Sequence, residues 1–327
     1  MQNIDKCRPD GYHGYNEGTG VVFKMLSVVI PAYNEEEMVP VAAKTVAQVL
    51  RDAGIVYELV FVDDGSRDRT WEEIRALASP QLRGVHFSRN FGKEAAIFAG
   101  LQAAKGDCVA VMDCDLQHPP EKLAEMYRLW EQGAEVIEGV KSDRGKESAA
   151  HRLAAATFYK LISRATRVDM SRASDFKLLD RKAVNVILTM REKRAFFRAL
   201  SSWVGFRTAT VAYEVRERTA GQSKWSTWSL MKYAVSNITA FTALPLHLVT
   251  VFGILTLLVS LVLGVIALVQ KFMGLALGGF TTVIILLLFL GSLIMISLGI
   301  IGYYVGNIYE EIKDRPRYVV AETCGGE

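Results

Sequence analysis

The sequence predicts an α/β protein: a doubly wound, mostly parallel sheet with helices on both faces, followed by an interfacial helix and a two-helix transmembrane hairpin. Three observations predict it. From residue 26 to about residue 140, short apolar runs alternate with helix-like stretches, the pattern of a parallel sheet covered by helices. Charge is spread through the first part of the chain and then stops. Between Lys232 and Lys271 the only Asp, Glu, Lys, Arg or His is His247, and between Lys271 and Glu310 there is none. Within that uncharged part lie two apolar runs, each long enough to cross a hydrocarbon core of ~30 Å as a helix.

The elements follow in order. LSVVIP (26–31) reads as a buried strand, and a helix is expected over 36–53. YELVFVDDGS carries a second strand at about 57–63, with a helix around 68–78 and a short strand near 85–87. A helix at about 93–104 leads to the strand CVAVMD (108–113), and a helix over 120–132 to a strand at 136–140. The region has neither GxGxxG nor GxxxxGK, so a nucleotide held here needs another grip on its phosphates. In such sheets ligands bind beyond the carboxyl ends of the strands.

The apolar runs span about 246–269 and 280–304. Two of them, almost uncharged and joined by a short loop, argue for a helical hairpin rather than buried core helices. Arg216, Arg218, Lys224 and Lys232 precede the first run, and Lys313, Arg315 and Arg317 follow the second, while the connecting loop carries only Lys271. The positive-inside rule then expects a two-span protein of the cell membrane with the large domain and both termini in the cytoplasm. Trp228, Met231, Val235 and Ile238 recur at helical spacing just before the first run, which suggests an amphipathic helix at 226–244 lying in the interface or packed on the soluble domain. Residues 1–24 are polar, rich in Gly and Tyr and without an apolar core, so they read as a flexible extension and not as a signal peptide. The expected division is therefore extension 1–24, soluble domain 25–225, interfacial helix 226–244, two spans within 245–309 and a cytoplasmic tail 310–327.

Composition agrees with this division. Of 327 residues, 50% are hydrophobic, too many for a purely soluble protein, yet 22% are charged, too many for a fully embedded one. A net charge of +3 without a dense Lys/Arg stretch bearing stacking aromatics argues against a nucleic-acid partner. The four cysteines, Cys7, Cys108, Cys114 and Cys324, have neither CxxC nor zinc spacing, as expected in a reduced compartment. A homo-oligomer is compatible with the sequence, which does not specify one.

The acidic residues fall where chemistry is expected. Asp63 and Asp64 close one strand, and Asp113 and Asp115 close another. Two carboxylates one residue apart at a strand end can reach a hard divalent cation, Mg²⁺ or Mn²⁺, which would neutralise a diphosphate. A lone DxD is weak evidence; its place after an apolar strand, with a second acidic pair nearby, strengthens it. Lys93 opens a helix, where a cation is mildly unfavourable and an anionic partner such as a diphosphate is suited. Asp64 alternatively reads as a helix N-cap, and His118 as a loop histidine without a partner.

PAYNEE (31–36), VDDGSRD (62–68), SRNFGKEAA (88–96) and MDCDLQHPPE (112–121) together resemble the inverting glycosyltransferases of the family-2 type with the GT-A fold. SDFKLLDRKAV (174–184), ERTAGQSKW (217–225) and YEEIKDRPRYVV (309–320) narrow the resemblance to polyprenyl-phosphate glycosyltransferases, the group of dolichyl-phosphate mannose synthase and the bacterial bactoprenol glucosyltransferases. It runs in order over about 26–320.

That resemblance implies roles at matching positions. Pro31, Tyr33, Glu35, Asp63 and Asp64 would line the nucleoside pocket. Asp113 and Asp115 would bind the metal and the donor diphosphate, with Gln117 beside them. Asp175 matches the acidic residue proposed as base, although Ser174 stands before it where many relatives have Gly. Arg218, Ser223 and Lys224 match the loop that grips the acceptor phosphate. The implied reaction moves a sugar from a nucleotide-sugar to polyprenyl (undecaprenyl) phosphate at the bilayer, giving a lipid-linked monosaccharide for cell-envelope glycan modification. UDP-glucose or a related UDP-sugar is the expected donor because SRNFGKEAA looks like the bacterial glucosyl type; a GDP-mannose-dependent enzyme is the alternative.

A phosphate monoester has a second pKa near ~6, so the acceptor is mostly ionised at neutral pH and needs little from a base. Asp175 is therefore expected to orient rather than deprotonate. Two other classes compete. A processive polysaccharide synthase would need more than two spans and a QxxRW motif, and the nearest match is Gln222-Ser223-Lys224-Trp225. A non-catalytic membrane scaffold would not need an intact acidic set.

Overall fold

The computed structural model describes residues 24–142, 174–190, 197–214, 244–273 and 279–326. The extension as far as residue 23, the interfacial helix as far as residue 243, and Arg218, Ser223 and Lys224 lie outside them.

The strands are β1 (Met25–Ala32), β2 (Val56–Asp63), β3 (Leu82–Phe87), β4 (Cys108–Val111), β5 (Val136–Lys141), β6 (Lys177–Asp180), β7 (Thr208–Tyr213) and β8 (Val320–Cys324). Between them run α1 (Met38–Asp52), α2 (Thr70–Ala76), α3 (Lys93–Ala103), α4 (Lys122–Glu131), α5 (Arg181–Thr189), α6 (Phe197–Trp203), α7 (Leu244–Phe272) and α8 (Phe280–Ile312). All strands join one sheet in the order β7-β5-β6-β4-β1-β2-β3-β8. The centre, β4-β1-β2-β3, is parallel; β6 and β8 run antiparallel to their neighbours, and β5 pairs with β7 in parallel. The mostly parallel, doubly wound architecture expected from the alternation is the one found.

Strand periodicity explains how one sheet serves two cores. Leu26, Val28 and Ile30 of β1, Leu59 and Phe61 of β2 and Cys108 and Ala110 of β4 face a core with α1, α2 and α4. The alternate residues, Val29, Val60, Val62, Val109 and Val111, face a second core with α3, α5 and α6. Because both faces are covered, these strands read as continuous apolar runs. Helix α3 is buried along Ala95–Leu101, and its Gly100 rests on Val29 where an added methyl would overlap that side chain. Small residues let α3 lie close to the sheet and bring its first turn to the carboxyl edge.

Beyond that core, α7 and α8 contain candidate spans at Val249–Phe272 and Phe289–Ile312, apolar and long enough to cross a membrane. Lys313 ends α8, and Asp314, at φ 46°, turns the chain back. Residues 318–324 then lace onto the soluble domain. Tyr318 stacks on Phe87 at 4.9 Å, the Ser88 amide donates to the Val319 carbonyl (3.0 Å), and β8 pairs with β3. The segment set apart in the sequence as a tail thus supplies an edge strand.

Candidate active site

Strands β1, β2 and β4 are parallel neighbours, so their carboxyl ends deliver three loops to one edge. The β1 loop carries Pro31, Tyr33 and Glu35. Tyr33 is 42% exposed and available to a flat ligand. The Glu35 amide donates to Thr70 Oγ1 (2.8 Å), which ties this loop to the start of α2.

The β2 loop carries Asp63 and Asp64, both buried. Asp63 Oδ1 accepts from the Ser66 amide (3.0 Å) and hydroxyl, and its Oδ2 lies 2.7 Å from His86 Nδ1. His86 stacks on Trp71, whose Nε1 donates to Glu322 of β8 at 2.9 Å. Asp64 does not cap α2. It accepts from the amides of Phe91 (2.7 Å) and Gly92 (2.9 Å), holding the loop that opens α3. Gly65 packs on the backbone of Arg89 and Asn90, where a side chain would collide. Burial pushes the Asp64 carboxyl upward, against the two amide bonds.

The β4 loop carries Asp113, Cys114, Asp115 and Gln117. Strand β4 ends at Val111, two residues earlier than the sequence suggested. Leu116 at φ 55° turns the loop so that Asp115 Oδ1 accepts from the Gln117 amide at 3.1 Å. Cys114 is buried; burial, then the charges of Glu35, Asp115 and Asp113, keep its thiol protonated, so it serves packing. His118 corrects the expectation of a partnerless loop histidine. Its Nδ1 accepts from the Asp113 amide (3.3 Å), and its ring stacks on Phe176 at 4.9 Å and meets Tyr213 edge-on. Burial lowers its pKa despite nearby carboxylates, so the neutral ring carries its proton on Nε2.

Asp175 reaches this edge through register. Strand β6 runs antiparallel to β4 with Val111 opposite Lys177, and continuing two residues sets Asp175 opposite Asp113. The buried Asp175 takes a fork from Arg198, Nε to Oδ1 at 2.6 Å and Nη2 to Oδ2 at 2.7 Å. Lys93 Nζ, delivered by the first residue of α3, lies 2.9 Å from Asp175 Oδ2 and 2.6 Å from Asp113 Oδ1. Burial alone would raise the Asp175 pKa; the Arg198 fork and Lys93 outweigh it and hold the carboxyl well below its usual range. For Lys93, burial opposes the charge, but Asp113 and Asp175 hold the ammonium protonated far above neutrality. A carboxylate pinned by two cations is an orienting group and a poor base.

Arg198 carries no sequence signal. It sits in α6, with no motif and no fixed spacing to Asp175. Helix α6 is held by the buried Lys177, whose Nζ bonds Glu138 Oε1 at 2.5 Å and Ser201 Oγ at 2.7 Å. Glu94, next to Lys93, was also missed. Its Oε2 accepts from the Phe197 amide (2.8 Å), and burial, followed by the charge of Asp175, pushes its pKa from 4.5 up to about 7. The folded protein therefore binds this proton more tightly than the unfolded chain, and stability falls as pH rises from 4.5 through 7. Glu94→Gln keeps an acceptor for Phe197. It should narrow the stability difference between pH 5 and pH 8 by on the order of 1–3 kcal/mol, measured by chemical denaturation.

Asp113 and Asp115 offer only hard carboxylate oxygens, and the Lys93 ammonium already stands against Asp113 as a cation would. Among the described residues no cluster of three or more His, Cys, Asp or Glu forms a metal cage. The pair fits Mg²⁺ or Mn²⁺ of the kind that takes its remaining ligands from a bound diphosphate and water.

The chain is similar to known proteins over most of its length. The family model described as glycosyl transferase family 2 matches residues 27–188. An uncharacterized glycosyltransferase of Synechocystis sp. is 37% identical over 306 residues, covering 92% of this chain and 96% of its own. A prophage-derived bactoprenol glucosyl transferase of Shigella flexneri is 36% identical over 305 residues, covering 92% and 99%. A prophage bactoprenol glucosyl transferase homolog of Escherichia coli is 36% identical over 299 residues, covering 90% and 98%.

Proposed function

This chain belongs to glycosyl transferase family 2 and is a glycosyltransferase; we propose that it moves a hexose from a nucleotide-sugar, a UDP-sugar such as UDP-glucose, to a polyprenyl phosphate with inversion at the anomeric carbon. The observation that carries the reading is the cluster of Asp113, Lys93, Asp175 and Arg198 beside Asp115 at the carboxyl edge of the sheet. The lipid acceptor is supported by two relatives named for bactoprenol, similar to this chain over nine tenths of its length, and by the two apolar helices.

In this reading Pro31, Tyr33 and Glu35 line the nucleoside pocket. Asp63 and Asp64 shape it by holding the loops around them, and Gln117 borders the diphosphate. A divalent cation on Asp113 and Asp115 would neutralise charge on the leaving diphosphate. Lys93, drawn from its carboxylate partners by the diphosphate, adds a second positive charge there. Asp175, pinned by Arg198, orients the sugar and the incoming phosphate.

The acceptor oxygen is already ionised at neutral pH. It bonds to the anomeric carbon as the bond from that carbon to the diphosphate oxygen breaks, and the electron pair leaves with the nucleoside diphosphate. Arg218, Ser223 and Lys224 grip the acceptor phosphate. The soluble domain and the chain ends stand in the cytoplasm, so enzyme and lipid meet within one membrane surface, which raises their effective concentration.

The test is the product. Proton NMR of the lipid-linked sugar made from an α-linked donor should show the β anomer, and EDTA should stop its formation until Mn²⁺ or Mg²⁺ is restored. An α product, or formation unaffected by EDTA, contradicts the corresponding half of the reading.

A further inference from the structure

Asp63, His86 and Glu322 are partners across one rung of the sheet. Asp63 closes β2 and lies opposite His86 of β3, and His86 lies opposite Glu322 of β8. Side chains on one rung share a face of the sheet, and here they are joined in series. Glu322 Oε2 accepts from Trp71 Nε1 at 2.9 Å, the Trp71 ring stacks on His86 at 5.0 Å, and His86 Nδ1 stands 2.7 Å from Asp63 Oδ2. Facing a carboxylate oxygen, that nitrogen is the donor. Trp71 is buried, so its indole N–H needs the acceptor that Glu322 supplies.

The series continues into the loops at the carboxyl edge. Asp63 Oδ1 accepts from the Ser66 amide at 3.0 Å and from its hydroxyl. Ser66 Oγ in turn accepts from the Asn34 amide at 2.9 Å, and Asn34 Oδ1 accepts from the Arg67 amide at 2.9 Å. Asn34 stands at φ 54°, a left-handed conformation that these bonds hold in place. Its chain neighbours are Tyr33 and Glu35. The strand that follows the second apolar helix therefore braces, through Trp71, His86, Asp63 and Ser66, the turn that presents Tyr33.

We propose that Glu322 is a positioning residue for the nucleotide-sugar donor, which rests on the proposed reading of Tyr33 and Glu35 as lining the nucleoside pocket. Glu322 fixes Trp71 against His86, His86 holds Asp63, and Asp63 sets the paired loops of Asn34 and Ser66 against which the nucleoside is bound. Loops ordered in advance bind at a lower entropic cost, so loosening them weakens donor binding and leaves the chemical step alone.

Glu322→Ala, Glu322→Gln and Trp71→Phe test it in the full chain in nanodiscs. Glu322→Ala should raise the Kd for UDP, or for GDP if that is the nucleotide bound, and the KM for the donor about tenfold, with kcat and the KM for undecaprenyl phosphate unchanged. Glu322→Gln keeps an oxygen for Trp71 Nε1 and should bind nucleotide as the wild type does. Trp71→Phe keeps a ring over His86, loses only the N–H and leaves β8 untouched; it should show the same shift as Glu322→Ala. Without nucleotide, amide hydrogen exchange over 33–36 and 64–67 should quicken in Glu322→Ala. Wild-type nucleotide affinity and wild-type exchange in that variant would overturn the relay. So would a rise in donor and lipid KM alike that follows a lower melting temperature. A wild type that binds neither UDP nor GDP would overturn the nucleoside reading, yet exchange over these loops would still decide the relay.

Discussion

Asp115→Asn is expected to lower sugar transfer by about a thousandfold, on the order of 4 kcal/mol of lost transition-state stabilisation. The substitution is nearly isosteric. Asn keeps an oxygen that can accept from the Gln117 amide, as Asp115 Oδ1 does now at 3.1 Å, so the turn through Leu116 should persist. What disappears is the charge that holds a divalent cation against the leaving diphosphate. The melting temperature and membrane insertion should stay at wild-type values, and Mn²⁺ titration should show weaker binding in the presence of UDP. Wild-type activity in this variant would remove Asp115 from the metal site. Asp113→Asn is the less clean experiment, because Asp113 also pairs with Lys93.

Glu138→Gln is expected to destabilise the soluble domain by about 3–5 kcal/mol, because it leaves a buried ammonium without its counter-charge. Lys177 is fully buried, and Glu138 is its charged partner at 2.5 Å. Burial alone draws the lysine pKa down, and Glu138 opposes that. For a domain of this size the melting temperature should fall by roughly 10 °C. Activity should fall as well, since Lys177 fastens the helix that carries Arg198, which in turn pins Asp175. Lys177→Met combined with Glu138→Leu should recover much of the stability, because removing both charges removes the desolvation cost. Thermal melts of the three variants check this; a double variant as unstable as the single one would assign the effect to packing.

The central sheet was legible because its signal is local. Strands buried on both faces read as unbroken apolar runs, and helices of matching length separate them, so β1 to β5 and α1 to α4 were expected within a few residues of where they lie. The later elements were not. Strand β7 has only two buried residues of six and lacks that apolar signature. Strand β8 (VAETC) lies far along the chain from its partner β3, and no local pattern announces a pairing across two long helices.

The site divides in the same way. Asp113, Asp115 and Asp175 stood out through motifs and resemblance, and register explains why Asp113 and Asp175 meet: β4 and β6 run antiparallel with Val111 opposite Lys177. Arg198 and Glu94 did not stand out, because their roles come from tertiary neighbours. Asp63 and Asp64 were singled out as pocket residues, and the structure shows the carboxylates of both committed to neighbouring loops and to His86. Lys93 was expected to face a donor diphosphate, and in the structure it stands against the chain's own carboxylates, Asp113 and Asp175.

Sugar transfer to lipid is tested by an assay on the detergent-solubilised full chain. Undecaprenyl phosphate, Mg²⁺ or Mn²⁺ and a panel of labelled UDP- and GDP-sugars are mixed, and label extracted into organic solvent is counted. Extractable label is expected from a UDP-hexose, dependent on the lipid and lost with EDTA. Label from GDP-mannose alone would move the donor to the other nucleotide and keep the reaction. Folded protein that binds nucleotide-sugar yet moves no label from any donor into lipid would contradict transfer to a polyprenyl phosphate.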